Sequence, residues 1–311
     1  MTHNPQAFRA RLLFAEAALA FVVFVWGVNP VVMKLGIQFL PPQSYNLARM
    51  MIASAVALTA LWLSGSYRRP NRNDWGALLR IAALGFFPFQ LLITEGLART
   101  TAGNASFIMC LLPVGVALFN RWFGLENITR AVLAGIASSV LGVALIVAGS
   151  GKEFSLAGGH LWGALLVLAA EAGYAYYTVR SKDLLARYSG YQVTAILMVM
   201  TTMLLFCATL PSVISVRWHE VPAVAWGSVA FSGIFALCVC NFLWIRVTAI
   251  LGTSRVAVFH NLLPLFAVAA AYLLLDETFG LIQAVGAAFI LLGVYITRRP
   301  RAGGAEQAAA P

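Results

Sequence analysis

One carboxylate stands out by its setting. Glu171 lies in the middle of an otherwise apolar run from Gly159 to Arg180, with Tyr174 and Thr178 following at i+3 and i+7 on one helical face and Tyr177 close by. A carboxyl group among apolar neighbours can carry a proton between two aqueous sides or neutralise a cationic group of a solute; its structural alternative is a hydrogen-bonded tie between helices. Arg49 lies about a turn and a half inside an apolar run. It would either grip a solute carboxylate or pair with a carboxylate such as Glu95. His260 and Asn261 precede Pro264 by about one turn, which makes them ligand or proton-site candidates. The carboxamides Gln90 and Asn241 are placed to hydrogen-bond a zwitterion or to tie helices together. Trp26, Tyr174, Tyr177 and Trp244 lie deeper in their runs than the other aromatics and could wall a pocket. Trp75, Trp122, Trp162, Trp218 and Trp226 fall at run ends, where indoles form interfacial belts.

Three prolines, Pro88, Pro113 and Pro264, interrupt these runs. Each removes a backbone donor and frees a carbonyl one turn back; for Pro113 and Pro264 these are the carbonyls of Met109 and His260. Other chemistry finds no support. There is no GxxxxGK[ST] phosphate loop, no HExxH and no recognisable nucleophile–base set, so neither ATP hydrolysis nor a catalytic residue is expected. Cys110, Cys207, Cys238 and Cys240 all lie in apolar segments and suggest neither disulfides nor a metal site. No cofactor is expected beyond a proton coupled through Glu171.

The elements that must position these residues follow from composition. Of 311 residues 61% are apolar and 10% charged, with mean hydropathy +0.84; a soluble domain carries roughly 25% charged residues. Too few charges remain to cover a water-exposed surface, which argues against a soluble enzyme, a disordered chain or a nucleic-acid binder despite the net charge of +10. A bilayer-spanning helix needs about 20 mostly apolar residues. Ten such runs are predicted at about 12–35, 43–64, 76–98, 102–122, 129–149, 159–180, 191–214, 223–245, 254–275 and 279–297, here spans 1 to 10. The first is too long for a signal-peptide core and lacks a cleavage site, so it is expected to be retained. Residues 1–11 and 298–311 form short tails, the second expected to be disordered.

With the N-terminus in the cytoplasm, 16 of the 21 Lys and Arg fall in inside segments and 4 in outside ones, Arg49 being within a span. That bias predicts a multi-pass protein of the cytoplasmic (inner) membrane with both termini inside. The chain also repeats itself. At an offset of 151, Gln90, Leu112, Pro113, Glu126, Gly135 and Gly142 match Asn241, Leu263, Pro264, Glu277, Gly286 and Gly293; at 148, Trp26 and Lys34 match Tyr174 and Lys182. Residues 12–149 and 159–297 are therefore two five-helix units. Because five is odd, the second enters the membrane inverted, the arrangement of alternating-access transporters. The predicted fold is an all-α integral membrane protein of ten transmembrane helices in two inverted five-helix repeats.

The opening Trp26-Gly27-x-Asn29-Pro30 with Lys34, Arg49 in span 2, and the small-residue, Pro, Glu, Gly, Gly ending of each half resemble the drug/metabolite transporter superfamily, EamA type, over about residues 12–297. The resemblance implies a ten-helix secondary carrier with its cavity between the halves, and it adds Asn29 to the site candidates. The expected function is export of small organic solutes such as amino acids or related metabolites. Uptake or facilitated exchange of similar solutes is the alternative within transport, and a membrane-embedded enzyme acting on lipid the alternative of another class. Partners are expected to be a small-molecule substrate and the bilayer, with no nucleic acid, and the protein a monomer or homodimer.

Overall fold

The computed structural model describes residues 5–124, 130–149, 159–251, 263–276 and 280–298, and these are helical with no strand among them. The spans follow one another as Pro5–Ile37, Pro42–Ser64, Arg72–Arg99, Ala102–Trp122, Arg130–Ala148, Gly159–Leu185, Gly190–Ile214, Ala223–Leu251, Leu263–Leu275 and Leu281–Arg298. Six are long and apolar enough to cross a membrane, and shorter apolar stretches occupy spans 5, 9 and 10. Only a helix closes its backbone hydrogen bonds within one such segment, which is why apolar runs of this length adopt it. Local signals set the ends. Pro42 opens span 2 and Gly65, at φ 58°, closes it in the left-handed conformation. The hydroxyl of Thr101 caps span 4, and that of Ser189 caps span 7 by accepting from the Gln192 amide. His260, Asn261, Glu126, Glu277 and the tail from residue 299 lie outside the described residues.

Glycines decide which spans touch. A Cβ on Gly173 would lie 2.9 Å from the Gly85 carbonyl oxygen, and one on Gly96 2.8 Å from that of Gly163. Spans 3 and 6 thus cross with their backbones in contact at two levels. Within a bilayer such close approach, rather than hydrophobicity, drives helix association. Spans 5 and 10 pair the same way, with Gly142 against the Gly286 carbonyl.

The repeat seen in sequence is spatial. Ser138 donates to the Phe289 carbonyl at 2.8 Å, a contact between residues 151 apart, and Ser54 meets Thr202 hydroxyl to hydroxyl at 2.8 Å, 148 apart. A residue can touch its own repeat mate only near the axis relating the two copies. The axis therefore passes between spans 5 and 10 and between spans 2 and 7.

The helix breaks also obey the repeat. Span 3 passes through a π-helical turn at Ala82–Phe86 and span 8 through one at Phe231–Val239; shifted by 151, the first falls on Gly233–Leu237, within the second. Pro88, expected to break span 3, instead occupies the start of the α-helix Phe87–Arg99 that follows the π turn. The carbonyl one turn before it, that of Leu84, lies within that π turn, so the distortion falls just ahead of the proline. Span 4 is interrupted as expected: helix Ala102–Met109 ends, Cys110 and Leu111 turn, and helix Leu112–Trp122 restarts with Pro113 in its first turn.

Candidate functional site

Between the halves lies a cavity of about 750 Å³ counted to its open side. Spans 1, 2, 3, 4, 6, 8 and 9 all contribute to its wall. Its charged groups are Arg49 and Glu171, which are 2% and 5% exposed.

Arg49 is held by four acceptors. Its Nε donates to Asn46 Oδ1 at 3.0 Å, Nη1 to Ser232 Oγ at 3.1 Å and to the Met33 sulfur at 3.4 Å, and Nη2 to Gln90 Oε1 at 2.6 Å. All four are neutral. A guanidinium has five N–H groups, so one on Nη2 is left over among the described residues. Ser232 lies on the π turn of span 8 and Gln90 one turn after that of span 3, so both distorted turns orient the guanidinium. The expected alternative partner, Glu95, is engaged elsewhere: it accepts from Gln43 Nε2 at 2.9 Å and pairs with Arg99 one turn along its own helix. The i+4 neighbour was in reach and Arg49 was not. The Arg49 guanidinium therefore has no carboxylate partner among the described residues.

Glu171 faces the same cavity, and no hydrogen bond to its carboxyl group occurs among the described residues. Span 4 crosses close to it: a Cβ on Gly115 would lie 2.9 Å from Ala175 and 3.9 Å from the Glu171 carbonyl oxygen. The break at Cys110–Leu111 accordingly brings Met109 and Leu112 onto the cavity wall. Aromatic rings complete the wall. Tyr174 packs on Phe89 at 4.7 Å between ring centroids, and Phe86 on Tyr177 at 5.0 Å. Trp26 donates its indole N–H to the Ala236 carbonyl of the span 8 π turn at 2.9 Å and packs against Trp244 in a tilted arrangement, 5.1 Å between ring centroids.

Of the sequence candidates, Trp26, Asn29, Arg49, Glu171, Tyr174 and Asn241 line this cavity. Gln90, Tyr177 and Trp244 stand behind it, holding Arg49, Phe86 and Trp26. Asn241 gives its amide to the Leu237 carbonyl at 2.6 Å, and Asn29 to the Met33 sulfur at 3.3 Å, leaving the Asn29 Oδ1 without a partner among the described residues. Thr178 departs from expectation. It is exposed on the outer side of span 6 and donates to the Tyr174 carbonyl at 2.8 Å. Packed helices cross at an angle, so the face that is interior at Glu171 has reached the rim two turns later. Sequence reasoning missed Met33, Phe86, Phe89 and Ile93. They are ordinary apolar residues in apolar runs; only the repeat mate of Phe86, Leu237 beside Asn241, could have hinted at one of them.

Two inverted helical units around a central cavity with buried charges define a multi-span membrane transporter rather than an enzyme. The family model of EamA-like transporters matches residues 13–148 and again 161–299, and the chain belongs to that family. Relatives agree. A transporter of Archaeoglobus fulgidus, itself uncharacterized, is 29% identical over 91% of this chain and 98% of its own length. A probable terminal-alkyne amino-acid exporter of Streptantibioticus cattleyicolor is 28% identical over 97% of this chain and 99% of its own. A probable amino-acid metabolite efflux pump of Salmonella typhimurium is 27% identical over 88% of this chain and 91% of its own. A solved crystal structure shares the fold at TM-score 0.66 and 17% identity, covering 91% of this chain and 97% of that one.

Proposed function

We propose that the protein exports small zwitterionic metabolites, amino acids or close derivatives, across the cytoplasmic membrane by rocking its two inverted halves about the central cavity. The observation that carries this reading is that a guanidinium and a carboxyl group, neither with an oppositely charged partner among the described residues, line one cavity. A guanidinium held only by neutral acceptors and a carboxyl group without a partner each bear a desolvation penalty. An amino acid relieves both at once, its carboxylate taking the free Nη2 hydrogen of Arg49 and its ammonium approaching Glu171. Trp26, Phe86, Phe89 and Tyr174 would receive an apolar or aromatic side chain. The exporter names borne by two relatives favour the same solute class and direction. The positive-inside charge distribution supports cytoplasmic termini, and Glu171 is the group that would exchange a proton for the solute between turnovers.

Reconstituted protein loaded with an amino-acid panel tests the reading by counterflow. Saturable exchange of a zwitterion is expected, lost when either its carboxylate is amidated or its amine acylated. Equal exchange of solutes lacking both charges would overturn it. Net flux with the outside acidified, compared with the inside acidified, tests proton antiport: an inward proton gradient should drive solute outward.

A further inference from the structure

Where the ends of spans 3 and 6 part, on the side assigned to the cytoplasm by the reading above, a second cavity of about 420 Å³ opens and shares no lining residue with the central one. Three of its groups are guanidiniums: Arg80 from span 3, Arg180 and Arg187 from span 6, with Asp183 as the carboxylate among them. Arg187 is already matched, its Nη1 lying 2.6 Å from Asp74 Oδ1, while Tyr188 donates to the other Asp74 oxygen at 2.6 Å. Arg80 and Arg180 then face Asp183 alone, leaving one positive charge in surplus. Neither makes an ion pair within 4 Å among the described residues; Arg180 lies instead over the Phe123 ring at 5.0 Å.

Below the arginines the wall turns apolar, through Ile81 and Tyr176. It continues toward lipid: Leu84 is 61% exposed, and Trp122 is 79% exposed beside Phe123, which packs on Tyr176 at 6.0 Å. A free anion needs no such apolar continuation, whereas a lipid does.

We infer that this groove binds one anionic phospholipid of the cytoplasmic leaflet, its singly charged phosphodiester between Arg80 and Arg180 and its acyl chains along Leu84, Trp122 and Phe123. Arginine forks suit phosphate oxygens, and basic pockets between spans on this face recognise anionic headgroups. The bound lipid would fasten span 3 to span 6 beside the Asp74–Arg187 pair, outside the path of the solute.

The test uses delipidated full-length protein in detergent, titrated with phosphatidylglycerol or phosphatidylcholine, with retained lipid counted by native mass spectrometry. Retention of phosphatidylglycerol over phosphatidylcholine is expected. In Arg80→Gln/Arg180→Gln it should weaken about thirtyfold, with solute binding in the central cavity unchanged. Should that double variant not fold, Ala77→Glu, which adds a carboxylate beside intact arginines, carries the same expectation. Equal retention of the two lipids, unaltered retention by the variants, or equally effective competition by soluble glycerol 1-phosphate would overturn the assignment; the last would mark a site for a free anion. Solute counterflow is read separately, so failure of the lipid site leaves the transport reading standing, and the reverse.

Discussion

Arg49 concentrates the argument at the scale of single residues. Its fork reaches Asn46 on its own helix, Gln90 on span 3 and Ser232 on span 8, so it both ties the halves together and presents charge to the cavity. Lysine keeps the charge but not the planar set of donors. Arg49→Lys should fold yet bind a carboxylate-bearing solute about ten- to hundredfold more weakly, since hydrogen bonds to charged groups contribute about 1.5–3 kcal/mol each; equilibrium binding to purified protein measures it. Glu171→Gln separates two roles of the carboxyl group, because the amide keeps its size but cannot ionise. A proton carrier predicts loss of transport driven by a pH gradient with counterflow preserved. A partner for the solute ammonium predicts loss of both. Persistence of both modes at wild-type rates would remove Glu171 from the mechanism and direct attention to His260.

At the scale of elements, the crossing of spans 3 and 6 depends on absent side chains. Gly96 and Gly163 face each other so closely that a methyl on either meets backbone, which cannot swing aside as a side chain can. Gly96→Ala should therefore lower stability by about 1–3 kcal/mol, seen as a lower melting temperature in detergent. Gly76, in the same span with nothing within 4 Å of its added Cβ, is the control. Gly76→Ala should be neutral or stabilising by up to about 1 kcal/mol. A neutral or stabilising effect at both positions would mean that propensity, not close approach, governs this span. The π turns add the second lesson at this scale. An extra residue per turn rotates everything after it, so Gln90 reaches Arg49 and Asn241 reaches the cavity only because the turns at Ala82–Phe86 and Phe231–Val239 precede them.

For the whole molecule the axis between repeat mates sets what can move. Ser54 and Thr202 touch near that axis, where two halves exchanging equivalent arrangements change their separation least. A cysteine pair at these positions, in a background lacking the four native cysteines, should cross-link and still support solute exchange in proteoliposomes. Loss of exchange on oxidation, restored on reduction, would place a moving interface there and contradict the rocking scheme.

How much of this was legible beforehand follows from the physics of each scale. A bilayer forces apolar runs of about 20 residues to be helices, so the spans, their order, the repeat and the break at Pro113 could be read from residue types and spacing alone. Glu171 and Arg49 were conspicuous because an ionisable residue in such a run has few benign explanations. What sequence could not supply was which neutral group each polar residue meets. Gln90 as the partner of Arg49, Glu95 with Gln43 and Arg99, and Thr178 at the rim all depend on helix crossing angles and on π turns that displace a helical face. Those turns leave no signature in composition, because the residues in them are as apolar as their neighbours. Whether a charge has a counter-charge or waits for a solute is likewise a matter of distance between chain segments far apart in sequence, and only the packed helices decide it.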